Sequence, residues 1–384
     1  MLEQFSFLSA QEIQFGLGVV KSVGNVCKKL KLNSVLVVSD PFMVESGSVK
    51  KVTAVLEDSG IVYSVYSDFG ASPAISKVEK AYEFMLEKGY NGVIGFGGGS
   101  SLDTAKAIAI LLNNPLPISQ YFGVDQVPNP ACPMIMIPTT AGTGSEVSDA
   151  CILKDDKTHV KSGIRSKYLM ANVSLVDPEL TISMPPSLTA ATGMDALTHC
   201  IEGYVSNASS VMTRMFHREA INLIFKNLRT AVGNGSDIDA RYNVMLGAMY
   251  AGWAMAVASL GACHAMAYPI EGKYGASHGV ANAALLPAVM RYNALGDMEK
   301  FRDMAIFMGE NVEGLSVREA AYKAVEAVET LAKDIDIPTL SAIGVVESDL
   351  EPFAEISYNN TRLMGLNPRK MTIEAIQKVY KDAF

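Results

Sequence analysis

The chain has no C-x-x-C pair. Its five cysteines, at 27, 132, 151, 200 and 263, stand singly and are odd in number. That spacing excludes a zinc ribbon and offers no disulfide framework, so free thiols in a reducing cytoplasm are expected. Basic charge is also short. Lys and Arg number 32 against 40 Asp and Glu, a net charge of −8, whereas a protein that grips phosphate backbones presents a basic face. No nucleic-acid partner is expected. The amino-terminal MLEQFSFLSAQEIQF lacks the basic n-region and long apolar run of a signal peptide, so export is not expected either. Internal repeats, low-complexity tracts and charged tails are missing. Core material is plentiful: 49% of residues are hydrophobic and 19% charged, which is ordinary globular usage. A length of 384 residues exceeds what one hydrophobic core sustains, and two domains are expected.

From Tyr242 to Ile270 there is no Asp, Glu, Lys or Arg, a run long enough to span a bilayer. It is rich in Ala, Gly and Met, contains His264, and has no counterpart elsewhere in the chain. A helix that is apolar all round also suits the centre of a large helical domain, and that reading is preferred to a membrane span.

The first half alternates β-branched runs with helical patterns. SVLVVSD (34–40), IVYSVYSD (61–68), NGVIGFGGGS (91–100) and PMIMIPTT (133–140) read as strands, with VTAVLEDSG and VEKAYEFMLEKGY as intervening helices. Such alternation implies a parallel sheet covered on both faces. Beyond Pro185 and Pro186 the texture turns to long Ala- and Met-rich helical segments. The expected architecture is an α/β domain with a Rossmann-like parallel sheet over residues 1–185, followed by an all-α domain over 186–384.

In GFGGGSSLDTAKAIAI (95–110) a strand ends in a glycine turn and a helix begins. Gly97, Gly98 and Gly99 permit close approach to a ligand, and the new helix offers free N–H groups to an anion such as a diphosphate. Ser100 or Ser101 could cap that helix with Asp103 as the capping-box acid. Asp40, at the end of SVLVVSD, could accept hydrogen bonds from an adenosine ribose and repel a 2′-phosphate, favouring NAD over NADP. The other reading of each is an ordinary turn residue. A second polar turn, IPTTAGTGSEVSD (137–149), supplies Thr139, Thr140, Thr143 and Ser145; it either wraps a ribose or phosphate or is a plain surface loop.

In ATGMDALTHC (191–200), Asp195 and His199 are four apart, and on a helix they share one face. Of the five histidines (159, 199, 217, 264 and 278), His264 lies in the uncharged stretch, where an unpaired imidazole is expensive, and His278 follows fourteen residues later beside a glycine. One carboxylate and three imidazoles would suit Fe(II) or Zn(II) with room for a substrate oxygen. Core histidines satisfied by hydrogen bonds are the alternative. His217, in TRMFHRE, reads as a solvated or packing residue.

The motifs QFGLGVVKSVG, GFGGGSSLDTAKA, IPTTAGTGSEVS, VDPELTISMPPSLTAATGMDALTHCIEGY, SHGVANAALLPAVMRYN and NPRKMTIEAIQKVY, in this order and nearly end to end, resemble the iron-containing (group III) alcohol dehydrogenases. The resemblance implies a dehydroquinate synthase-like architecture and a divalent metal, Fe(II) foremost and Zn(II) otherwise, on Asp195, His199, His264 and His278. It implies NAD(H), with the diphosphate at Gly97, Gly98, Gly99 and Ser100 and the ribose at Asp40. Thr139, Thr140, Thr143, Ser145, Lys161, Leu180 and Leu188 fall where the family surrounds the cofactor. A homodimer is implied, and the substrate would be a small aldehyde or alcohol. The runner-up activity is a metal- and NAD-dependent lyase or synthase of the dehydroquinate synthase type.

Departures from the family pattern are informative. Tyr268 stands where a second histidine is usual, so either its hydroxyl relays the proton or water and the cofactor ribose do. Ser72 replaces an asparagine near the adenine. Ala150 stands where an aromatic is common and Val257 where an asparagine is common, and both are candidates for shaping the substrate pocket.

Overall fold

The computed structural model describes residues 4–70, 73–156 and 161–384; Ser72 and His159 lie outside the described residues. The chain divides into two compact units. One comprises Leu8–Thr140 and Gly144–Thr181. The other comprises Ile182–Phe384, Ala141–Thr143 and the amino-terminal stretch through Phe7.

The first unit is built on strands β1 (Glu12–Phe15), β2 (Ser34–Val38), β3 (Val62–Tyr66), β4 (Gly92–Gly97), β5 (Gly123–Val124), β6 (Met134–Pro138), β7 (Ala150–Lys154), β8 (Lys161–Arg165) and β9 (Val173–Val176). Six form one sheet in the order β1-β9-β6-β4-β2-β3, every pair parallel. A strand turns alternate side chains to opposite faces, and here both faces are buried. Leu36, Val38, Val93, Met134 and Met136 join one core with residues of the Ile75–Lys88 and Gly99–Leu111 helices. Val35, Val37, Ile94, Phe96, Ile135 and Ile137 join the other with residues of the Val23–Lys29 and Lys50–Asp58 helices. The four strands expected from hydrophobic runs are therefore present as β2, β3, β4 and β6, in the doubly covered parallel sheet that the alternation implied.

The strand order reverses at β2. After β2 the chain packs a helix on one face of the sheet and pairs β3 on the outer side. After β4, on the other side of β2, the next helix packs on the opposite face. Connections diverging to opposite faces leave a crevice at the carboxyl ends of the two strands, where ligands bind in open α/β sheets. A small second sheet, β5-β8-β7, with β7 antiparallel to β8, was not apparent in the sequence.

The second unit is helical, and among the described residues no strand follows Val176. The uncharged run forms two helices, Ile238–Ala258 and Ala262–Tyr274, bent by 103° across a short break. Among the described residues no single helix is long and apolar enough to cross a membrane. The turn between them requires Ser259 at φ 57, the left-handed region that few non-glycine residues adopt.

Candidate metal centre and cofactor site

Asp195 and His199 lie on the Pro186–Val205 helix, His264 on Ala262–Tyr274, and His278 is the first residue of His278–Asn293. One ligand atom from each of the four falls within 4.8 Å of the others. The Asp195 carboxylate is 3.9 Å from His199 Nε2, 3.9 Å from His264 Nε2 and 3.7 Å from His278 Nε2. The rings of His199 and His264 stack with centroids 4.9 Å apart.

A glycine makes this convergence possible. A Cβ at Gly279 would collide with the carbonyl oxygen of Ala191, so the helix starting at His278 can lie against the helix of Asp195 only because position 279 has no side chain.

Two glutamates that the sequence reading passed over complete the centre. Glu202 Oε2 is 2.6 Å from His264 Nδ1, and Glu271 Oε1 is 2.6 Å from His278 Nδ1. Each carboxylate fixes its imidazole with the proton on Nδ1, which makes Nε2 an acceptor on the side of Asp195; that of His278 lies 3.1 Å from Asn282 Nδ2. His264 Nε2 is buried with no protein partner. Asn282 donates from Nδ2 to Asp195 Oδ1 at 2.9 Å. The signal in the sequence was helical spacing: Glu202 follows His199 by three residues, and Glu271 lies seven from both His264 and His278.

Electrostatics suit a cation. Burial pushes the Asp195 carboxyl up, but His199, His278, His264 and the Asn282 amide outweigh it and hold the group below its usual range. Burial lowers His199 to about 4, so it is a neutral ligand at working pH. Core histidines satisfied by hydrogen bonds would not leave a buried Nε2 bare beside a carboxylate, and these residues fit a divalent ion.

Tyr268 lies one turn beyond His264, its ring stacked on His278 with centroids 6.3 Å apart. Its hydroxyl has no protein hydrogen-bond partner among the described residues, and burial pushes its pKa up to about 12. His217 is wholly buried, its ring pressed against Gly203. It is a packing histidine, and the solvated alternative is wrong because its helix turns that face inward.

In the sheet unit, Asp40 and the glycine turn meet at the reversal point. Asp40 caps the Pro41–Glu45 helix through Met43 N–H at 3.1 Å and accepts from Ser101 Oγ at 3.3 Å. A Cβ at Gly97 (φ 150) would strike Ser101 Oγ, so that position must be bare. The capping box expected at Ser100 or Ser101 with Asp103 is overturned. The N-cap is Gly98, with no side-chain cap, because the extended glycine itself starts the helix two residues before Ser100. Asp103 instead accepts from Ser145 Oγ at 2.7 Å and from Ile152 N–H at 2.9 Å. Lys106, fully buried, donates to Ser148 O at 2.8 Å and Ala150 O at 3.0 Å, fastening the polar turn and β7 to the helix.

The uncapped helix start leaves N–H groups for an anion. Beside it, the buried hydroxyls of Ser39 and Thr139, just past the ends of β2 and β6, have no partner. A polar ligand would satisfy both. Thr140 lies next to Gly98, and Thr143 and Val257 are half-buried. Lys161 and Leu188 are exposed, and Leu180 is packed into the core beneath the sheet rather than open to a ligand. Glu146, unnoticed in the sequence, is a buried acid whose pKa burial pushes up to about 7.

A doubly covered parallel sheet with a glycine turn at its reversal point, and a helical unit with one carboxylate and three imidazoles converging, define a metal- and dinucleotide-type dehydrogenase architecture. The model of the iron-containing alcohol dehydrogenases matches residues 10–178, and that of the Fe-containing alcohol dehydrogenase family, C-terminal, matches residues 189–384. The 1,3-propanediol dehydrogenase of Citrobacter freundii is 39% identical over 383 residues, 99% of each chain. A crystal structure of a 1,3-propanediol oxidoreductase superposes with a TM-score of 0.97 at 38% identity, covering 100% of both chains. The sulfoacetaldehyde reductase from Bifidobacterium kashiwanohense, solved in complex with NAD+, gives a TM-score of 0.91 at 27% identity, covering 100% of this chain and 99% of that one. The chain belongs to the iron-containing alcohol dehydrogenase family. The synthase alternative is not favoured.

Proposed function

We propose that the protein interconverts a short aldehyde and its primary alcohol by hydride transfer with NAD(H). The observation that carries this reading is the convergence of Asp195, His199, His264 and His278, with Glu202 and Glu271 behind two of the imidazoles.

These four side chains would hold the metal, Fe(II) foremost and Zn(II) otherwise. When bound, such an ion supplies Lewis acidity toward the carbonyl oxygen. Glu202 and Glu271 keep the ligating nitrogens aimed and unprotonated. The N–H groups at Gly98, Gly99 and Ser100 would bind the diphosphate, and Asp40 would accept from the ribose and repel a 2′-phosphate. The NAD+ complex of the sulfoacetaldehyde reductase supports that cofactor. The unpartnered Thr139 hydroxyl, Thr140, Thr143, Ser145, Lys161, Leu180 and Leu188 are assigned by family likeness to the cofactor's surroundings, Asp103 acting through Ser145. Tyr268, protonated throughout the working range, would donate a hydrogen bond toward the reacting oxygen. Ala150 and Val257 would set pocket width. Family likeness supports a homodimer, and the free, buried cysteines suit the cytoplasm.

The test is NADH oxidation with a panel of short aldehydes, on metal-stripped protein before and after Fe(II) or Zn(II). Metal-dependent consumption is expected. No consumption from folded protein that still binds NADH would overturn the reading.

A further inference from the structure

Arg362 has no acidic partner among the described residues, whereas Arg165, Arg229, Arg291 and Arg302 each face a carboxylate. It sits in the short helix Thr361–Met364, which packs against the His264 helix and is anchored by the fully buried Leu363. Its Nη1 donates to Ser259 Oγ at 3.3 Å, in a partly buried hydrogen bond. That contact places the guanidinium of this exposed residue at the break between Ala258 and Ala262, immediately before the helix of His264 and Tyr268. The charge reaches Tyr268, where it opposes the rise in the phenol's pKa. Tyr268 in turn stacks on His278.

The acids around the metal centre are already engaged. Glu202 and Glu271 hold imidazoles and Asp195 faces all three ligating rings. On the Tyr268 side Arg362 offers a cation with unused donors. A guanidinium presents a planar fork that matches a carboxylate or sulfonate.

We propose that Arg362 is a specificity-determining residue that selects a short aldehyde carrying an anionic group, a carboxylate or sulfonate, at the end remote from the carbonyl. This rests on the dehydrogenase reading above.

The experiment uses the metal-loaded enzyme with NADH and two pairs of aldehydes: 4-oxobutanoate against butanal, and 2-oxoethanesulfonate against propanal. The wild type should favour the anionic member by about tenfold or more in kcat/KM. In Arg362→Met that ratio should fall toward one, mainly through KM; Arg362→Lys should restore part of it, and Arg362→Glu should invert it. The pair with the larger ratio tells carboxylate from sulfonate. Calorimetric binding of 4-hydroxybutyrate against 1-butanol to the NADH-loaded enzyme reads the same preference without turnover. NADH oxidation by no aldehyde at all would sink the dehydrogenase reading. Turnover or binding with no preference for the anion, or a preference that survives Arg362→Met, overturns the role of Arg362.

Discussion

Glu202 binds the helix of His264 twice: Oε2 is 2.6 Å from His264 Nδ1, and Oε1 accepts from the Cys263 N–H at 2.6 Å. One carboxylate thus sets both the tautomer of a ligand and the start of the helix that carries it. Glu202→Gln keeps the shape but replaces the anion, and it should weaken metal affinity about 10–100-fold. Competition with a chelator measures this, and an unchanged affinity would show that the carboxylate charge is irrelevant to the centre.

His264→Ala removes a ligand whose Nε2 is otherwise bare. The variant should fold, lose most of its bound metal and lose turnover together. Metal analysis beside circular dichroism checks it; full occupancy with full activity would refute the ligand assignment.

Asp40→Gly should relax the discrimination against NADPH, because the carboxylate that would repel a 2′-phosphate is gone. It should also cost roughly a few tenths of a kcal/mol of stability through the lost cap on Met43 N–H, since glycine is itself a tolerated N-cap. The ratio of kcat/KM for NADH and NADPH is the measurement, and an unmoved ratio removes Asp40 from the ribose site.

Tyr268→Phe should leave the shape of the pH–rate profile between pH 6 and 9 unchanged, since a phenol at about 12 does not titrate there. A moderate loss of kcat is expected if the hydroxyl donates to the reacting oxygen. Loss of an ionisation from that window would show instead that Tyr268 titrates in the catalytic cycle.

Glu146 gives a stability prediction. Burial raises its folded pKa from 4.5 to about 7, so between those values the native state holds a proton that the unfolded chain releases. Its contribution is fully present below pH 4.5 and lost as pH rises through 7, on the order of 3 kcal/mol. Glu146→Gln should therefore match the wild type in urea denaturation near pH 4.5 and exceed it at pH 8. Parallel pH dependence in the two proteins would count against a buried, protonated acid.

Local pattern determined a good deal here. Continuous apolar runs in SVLVVSD and PMIMIPTT marked strands covered on both sides, because successive side chains of a strand enter opposite layers and here both layers are buried. The i,i+4 spacing of Asp195 and His199 put both on one face, because a helix repeats every 3.6 residues. Tertiary structure decided the rest. Nothing local says that Asp40 and Ser101, sixty-one residues apart, lie in hydrogen-bond contact at the reversal of the sheet. The same holds for Glu202 and His264 across sixty-two residues. The false capping box at Ser100 and Asp103 has a related cause: a capping motif is judged over four residues, while Asp103 was claimed by Ser145 and Ile152 from elsewhere in the chain. Side chains on one element announce themselves through periodicity. Partners on different elements are chosen by packing, as where the bare Cα of Gly279 lets two helices close and brings His278 to Asp195.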